Sequence, residues 1–398
     1  MITGAGTSIS LGLPSTLEFT DLIATSLRQD HRIPEGETSA LALYDSIDYS
    51  LRNYLKNPGI VTFEDIYQSI QDVRTIKSIP RNPTAFDEFR PRVGATHVLK
   101  NQFSSYSEWD TLTLQNFYLD NILVTFLRAL PLVCRTHLLS AALERIREKF
   151  LVWSFTLSYD NIISNAWDGF TSGFTPGSAP RVFSPDALLS ALESRHPIHS
   201  HLHGSLKLGF PLGEPLNMFE LHEFDSPQEG VQHSTGSRPS GRPIQSGETL
   251  PPSPIITGLS KTELVFRQPF FTNFLTFFKA LDLCTDVLIA GYGFRDPHIT
   301  MGIEQFRRHR PSVSTYIVDR NDIDHPSSYF DRLTPDARHA ILPGDAFRAI
   351  EVPSFPGWWR VLDISSGGFN TGPIFLWLQG FYTFCETVVN DGLPEELE

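Results

Sequence analysis

MITGAGTSISLGLPS, residues 1–15, is the stretch on which the fold turns. It reads as the end of a strand, a glycine turn and the approach to a helix that begins after Pro14. Gly4 and Gly6, lacking a Cβ, let the backbone turn sharply and approach a ligand closely. Thr7 and Ser8 add hydroxyls and amides, and a helix N-terminus behind them favours a diphosphate. The spacing is not G-x-G-x-x-G, and no Lys-Ser/Thr follows as in a Walker loop. Taken alone, the segment is either a tight strand–helix turn or a phosphate cradle. Only Met1–Thr3 precede it, which is short for a central strand, so either the strand is clipped or the true start lies upstream.

Outward from that turn, Leu17, Leu22, Ile23 and Leu27 share a helical period. From 31 to 149 the pattern stays mostly helical: DSIDYSLRNYL, TFEDIYQSIQDV, LQNFYLDNILVTFLRAL and HLLSAALERIREKF carry apolar residues at i, i+3, i+4 spacing. PRNPTAFDEFRPRVG interrupts them as an irregular connection. Strand-like runs return with FLVWSFTL, HSHLHGSL, DVLIAGYGF and STYIVD. Residues 226–254, crowded with Gly, Ser and Pro, are expected to be a long mobile loop. Strands alternating with helices after a glycine turn predict an α/β fold, a Rossmann-like parallel sheet flanked by helices, with a helical insertion. The expected division is 1–30 with 150–350 as the nucleotide-binding domain and 31–149 as the insertion. Residues 351–398, with Trp358, Trp359 and Trp377, are expected to be an aromatic packing or oligomer-contact element.

The totals narrow the function classes. Lys+Arg 32 against Asp+Glu 45 leaves a formal charge of −13, and an acidic surface repels nucleic-acid backbone, so direct nucleic-acid binding is not expected. The short basic run Arg307, Arg308, Arg310 reads as a solvated helix end. Cys134, Cys284 and Cys385 form no C-x-x-C pair, which argues against a zinc ribbon and against a disulfide framework. No apolar run approaches the ~20 residues that span a bilayer, and no basic-then-apolar leader opens the chain, so a cytoplasmic protein without a membrane partner is expected.

Four segments carry candidate chemistry. The first is the turn at Gly4–Ser8. In FTLSYDN, Ser158, Tyr159 and Asp160 follow the strand ending at Thr156, where open α/β sheets hold ligands. Asp160 has a plainer alternative as the N-cap of the next helix. In HSHLHGSL, His203 before Gly204 can present an imidazole to a sugar hydroxyl. His199, His201 and His203 at alternate positions suggest a metal site instead, but no carboxylate or cysteine stands at a supporting spacing, and no metal is expected. In VLIAGYGFRDPHI, a buried strand enters Gly291-Tyr292-Gly293, with Arg295, Asp296 and His298 beyond. Asp319, ending YIVD, can accept hydrogen bonds from a ribose or a base.

In this order the four segments resemble the sirtuin family, in particular its bacterial antiphage-defence branch. GAGTSISLGLPS is similar to the family's G-A-G-x-S-x-x-x-G-x-P loop at Gly4, Ala5, Gly6, Ser8, Gly12 and Pro14. FTLSYDN resembles T-x-N-Y-D at Thr156, Tyr159 and Asp160, HLHGSL matches the His-Gly pair at His203 and Gly204, and GYGFRDPHI is close to the defence branch's G-Y-G-x-x-D-x-H-I. The resemblance implies NAD lying across the carboxyl edge of the sheet as substrate, with His203 acting on the ribose and Asp160 helping to hold nicotinamide. It implies an NAD glycohydrolase, commonly a homo-oligomer held with a partner ATPase or translocase of the HerA type, or with a nuclease. Ser158 replaces the family asparagine on the nicotinamide side, and with it comes the alternative of a catalytically weakened NAD- or ADP-ribose-binding scaffold. The absent zinc ribbon argues against protein deacylation.

Overall fold

The computed structural model describes residues 1–33, 39–54, 61–77, 103–134, 136–211, 220–235, 253–258, 265–310, 312–320, 325–342, 347–352, 357–363 and 373–391. The strands are β1 (Ile2–Thr3), β2 (Trp153–Thr156), β3 (Ile198–His201), β4 (Leu208–Gly209), β5 (His222–Glu223), β6 (Asp286–Ala290), β7 (Ser314–Val318), β8 (Phe347–Glu351), β9 (Trp358–Asp363) and β10 (Ile374–Trp377). Among the described residues, eight strands form one sheet in the order β3-β2-β1-β6-β7-β10-β9-β8. The run from β3 to β10 is parallel; β9 and β8 pair antiparallel at its end. The expected Rossmann-like parallel sheet is therefore present.

Two compact units emerge. The first comprises residues 1–13, 130–205 and 265–398, and holds the eight-stranded sheet. Its central strands are buried on both faces, as in parallel sheets covered by helices: Val287, Ile289, Ala290, Tyr316, Ile317 and Val318 all lie in the core. The helix Thr136–Lys149, expected within the insertion, belongs here, because its stripe of Leu139, Leu143 and Ile146 is buried and it packs on the helix Phe381–Asp391. Residues after 351 contribute β9, β10 and that last helix. Trp358 is buried between Tyr316, Trp377 and Phe384, and Phe375 stacks on Tyr316 at 4.9 Å. The aromatic tail thus completes the sheet's core.

The second unit comprises residues 14–129 and 206–264. Its helices Thr16–Arg28, Ala40–Tyr54, Phe63–Lys77 and Glu108–Ala129 pack together, with Tyr44, Tyr67 and Tyr118 buried among them. Ser15 caps the first through a capping box: its hydroxyl accepts from the Glu18 N–H, and the Glu18 carboxylate accepts from the Ser15 N–H.

Two local expectations are corrected. The glycine turn is already helical, because residues Ala5–Ser10 form a short helix ahead of the one at Thr16. The loop predicted over 226–254 starts as the helix Pro227–Thr235, where Gly230 packs against the Leu206 and Lys207 backbone; residues 236–252 lie outside the described residues, as does PRNPTAFDEFRPRVG. Among the described residues no single helix is long and apolar enough to cross a membrane.

Candidate active site at the switch point of the sheet

The sheet register sets the site. Thr3 is level with Thr156 and Ala290, Thr156 with His201, and Ala290 with Val318. The residues that follow these positions, from Gly4, Leu157, Leu202, Gly291 and Asp319 onward, therefore leave the sheet along one carboxyl edge. Chain order runs outward from β1 through β2 to β3 on one side and from β6 to β7 on the other. The neighbours β1 and β6 thus flank the switch point, where open α/β sheets form their ligand crevice.

Direct contacts link the four sequence segments in a closed ring. The Gly6 N–H donates to the Gly291 carbonyl (2.9 Å), and the Thr7 hydroxyl to the Ala290 carbonyl (3.0 Å). Ser8 Oγ donates to Asp160 Oδ2 (2.7 Å). Asn161 Nδ2 donates to Ser205 Oγ (2.9 Å), and His201 Nδ1 lies 3.2 Å from the Ser158 carbonyl. His203 Nε2 meets His298 Nε2 at 3.2 Å, which returns the ring to the glycine-rich segment after β6.

The glycines of the ring divide by role. A Cβ on Gly4 would lie 2.5 Å from the Gly291 oxygen, one on Gly6 2.8 Å from Gly291 Cα, and one on Gly291 2.2 Å from the Thr7 nitrogen. These three let two backbone turns interlock, and it is that packing which excludes side chains there. Gly293 differs, being exposed with open space where its Cβ would project. A side chain at Gly293 would meet no neighbouring atom within 4 Å.

Asp160 is buried, and burial pushes its carboxyl above the usual carboxylate range, while the Ser8 hydroxyl and the Ile162 N–H pull it back. Its Oδ1 accepts from the Ile162 N–H at 3.0 Å at the start of the helix Ile162–Ala166. The N-cap of that helix is Asn161, so the capping alternative for Asp160 is corrected: its Oδ1 closes a local turn ahead of the helix, while Oδ2 takes the Ser8 hydroxyl. Ser158 stays within the same group, with its hydroxyl 3.4 Å from Ser8 Oγ. Thr156 receives the Ser158 N–H at 3.2 Å, and Tyr159 is buried in the core. Tyr292 donates its hydroxyl to the Asp296 carbonyl at 3.1 Å, bracing the turn at Asp296, which is the N-cap of the helix Pro297–His309. Gly204 adopts φ 89°, a left-handed value suited to glycine, directly after His203. Asp319 is half-buried, and burial pushes its carboxyl up to about 6. Pro14 belongs to the second unit.

The histidines of HSHLH separate. His199 sits inside the sheet with Nδ1 3.2 Å from Ser154 Oγ, and burial holds it well below its usual value, which makes it a neutral core residue. β3 ends at His201 and His203 lies in the turn beyond, so the three do not share one strand face. The group that does converge is His203, Asp296 and His298, whose ligand-type atoms lie within 4.8 Å of one another. His298 was given no role by the sequence, although it stands two residues after Asp296. Asn273, whose Nδ2 donates to the His201 carbonyl (2.9 Å) from a phenylalanine-rich helix, carries no local signal at all. A cavity of about 650 Å³ opens at the opposite edge of the sheet, among Val152, Trp153, Phe277, Leu283, Asp286 and Trp358, away from this chemistry.

The whole chain matches no curated protein. Residues 153–334, which hold Asp160, His203, the turn at Gly291 and Asp319, match the family model of the SIR2-like domain.

Proposed function

We propose that this chain is an NAD glycohydrolase: it binds NAD across the switch-point crevice and hydrolyses the nicotinamide–ribose bond to nicotinamide and ADP-ribose. The observation that carries this reading is the closed ring of contacts joining Gly4–Ser8, Asp160, His203 and Gly291. The bonding pair of the C1′–N bond leaves with nicotinamide, which departs neutral, and the ribose passes through a cationic state. Such a step asks for positioning, a dry pocket and nearby negative charge. Asp160, buried at the crevice, supplies the charge, and an approaching cation favours its ionised form. His203, 2% exposed, is the group that takes the proton from the attacking water or a ribose hydroxyl. Destroying an abundant metabolite needs restraint, so the reading includes an oligomeric, cytoplasmic subunit of a bacterial antiphage-defence system, held by a partner ATPase or translocase, or by a nuclease. Incubating the purified protein with NAD, alone and with its genomic neighbour, and quantifying nicotinamide by chromatography tests it. Intact NAD under every condition rejects hydrolysis.

One observation favours a second reading, a binding scaffold with weakened chemistry. Ser158 offers a single short hydroxyl, already beside Ser8, in place of an amide with a donor and an acceptor. Ser158→Asn decides between them. A hydrolase should change by less than about tenfold, whereas a silent wild type that gains turnover is a scaffold.

Asp319 gives a prediction that either reading shares. A ribose diol donates to an ionised carboxylate, and this carboxyl ionises only at about 6. Affinity for NAD is therefore highest above that pH and falls as the pH drops through it, because a protonated Asp319 must first lose its proton. Calorimetric titrations at several pH values should show the fall, and Asp319→Asn should flatten it.

A further inference from the structure

We infer that His298 is a positioning residue for His203: it accepts a head-on hydrogen bond from His203 Nε2 and so fixes which nitrogen of His203 works as a base. The two Nε2 atoms are 3.2 Å apart, the ring centroids 5.5 Å, and the ring planes cross at 54°. A ring nitrogen lies about 1.15 Å from the centroid of a five-membered ring built of bonds near 1.33 Å. Two rings meeting head-on at the observed nitrogen distance therefore have centroids about 5.5 Å apart, as found.

Metal chelation by the same residues predicts another geometry. His203, Asp296 and His298 have the composition of a two-histidine, one-carboxylate metal set. Two imidazoles on one tetrahedral zinc at ~2.05 Å place their nitrogens about 3.3 Å and their centroids about 5.2 Å apart, because their lone pairs converge at an angle. The centroid separation would then exceed the nitrogen separation by about 1.9 Å; here the two are 5.5 Å and 3.2 Å. The nitrogens aim at each other instead of converging on a shared point.

A collinear pair of ring nitrogens attracts only with one proton between them. If His203 donates, its Nε2–H stays engaged and Nδ1 is the nitrogen that takes a proton. When the water or ribose O–H bond breaks and an N–H bond forms at Nδ1, the resulting imidazolium keeps its bond to His298. An Asp296 carboxylate oxygen lies within 4.8 Å of a ring nitrogen of each histidine, and its charge favours that cation. Phe274 lies against both imidazoles, with centroids 6.4 Å from His203 and 5.1 Å from His298, and an apolar wall strengthens a hydrogen bond beside it. The pairing stands on geometry alone; its catalytic consequence rests on the hydrolase reading.

Nitrogen NMR of the full chain labelled in histidine tests the pair. The expected spectrum has His203 protonated at Nε2 and unprotonated at Nδ1, with His298 unprotonated at Nε2; in His298→Ala the His203 nitrogens should move towards tautomer averaging. In turnover, His298→Ala should lower kcat for NAD by about tenfold to a hundredfold with KM within about twofold, and should shift the pH profile of kcat. His298→Gln, which keeps an acceptor oxygen, should recover most of the loss. His203 nitrogens that do not respond to either substitution overturn the proposal. So does stoichiometric zinc binding lost on replacing any one of His203, Asp296 or His298, which would make the group a metal centre. A wild type without NAD turnover would sink the hydrolase reading while leaving the spectra to decide the pair.

Discussion

His203→Ala is expected to lower nicotinamide release by about a thousandfold while leaving NAD affinity within a few-fold, in the range for removing a positioned general base. The size follows from placement: the imidazole is buried in the turn after β3, at the carboxyl edge of the parallel strands, and His298 meets it directly. Alanine removes the base and leaves the charge at Asp160 and the dinucleotide cradle in place, so the loss should fall on kcat. The substitution also orphans one side of the His298 ring, a cost of about 1–3 kcal/mol if no water replaces it, so thermal melting must accompany the kinetics. Single-turnover release of nicotinamide with calorimetric binding separates the two effects. A variant that keeps more than a tenth of the wild-type rate would mean that positioning and Asp160 carry the reaction without this histidine.

The strand ends that build the crevice were legible because each is a local event. WSFT, DVLIA and STYIV are short runs rich in β-formers, DVLIA stops at Gly291 and STYIV at Asp319, and the structure ends its strands there; IHSH, with one β-former, pairs beside WSFT. The helix at Ala5–Ser10 was not legible, since a glycine at its second position lowers helix propensity and only the interlock with Gly291 requires it. Nor was the place of IFLW beside β7, because strand order is decided by partners remote in sequence: Phe375 finds Tyr316, and Trp358 fills the space beneath. The same limit hid the division of the chain. Residues 206–264 follow His203 in sequence yet pack with the helical unit, for instance through Gly258 beside Tyr67 and Gln68. His298 lay in plain view in GYGFRDPHI, but an imidazole at the head of a helix announces a partner only once the turn carrying His203 stands opposite.

Gly291→Ala is expected to cost about 3 kcal/mol or more in folding free energy, seen as a large fall in melting temperature or urea midpoint. Two terms add. The residue sits at φ 58°, where an L side chain costs about 1–2 kcal/mol. Its Cβ would stand 2.2 Å from the Thr7 nitrogen and 2.6 Å from the Gly6 carbonyl carbon, both backbone atoms that no rotamer change can clear. Relief requires the turns after β1 and β6 to part, which breaks the bonds from the Gly4 N–H to the Ala290 carbonyl and from the Gly6 N–H to the Gly291 carbonyl, each 2.9 Å. Because those turns form the floor of the crevice, NAD affinity should fall with stability. Gly293→Ala is the control: its Cβ meets nothing within 4 Å, so melting should stay near wild type, and any loss of NAD affinity then reports the ligand's own approach. Equal stability of the two variants would mean that the backbone turns are not locked together, and the crevice would lose the rigidity on which its chemistry depends.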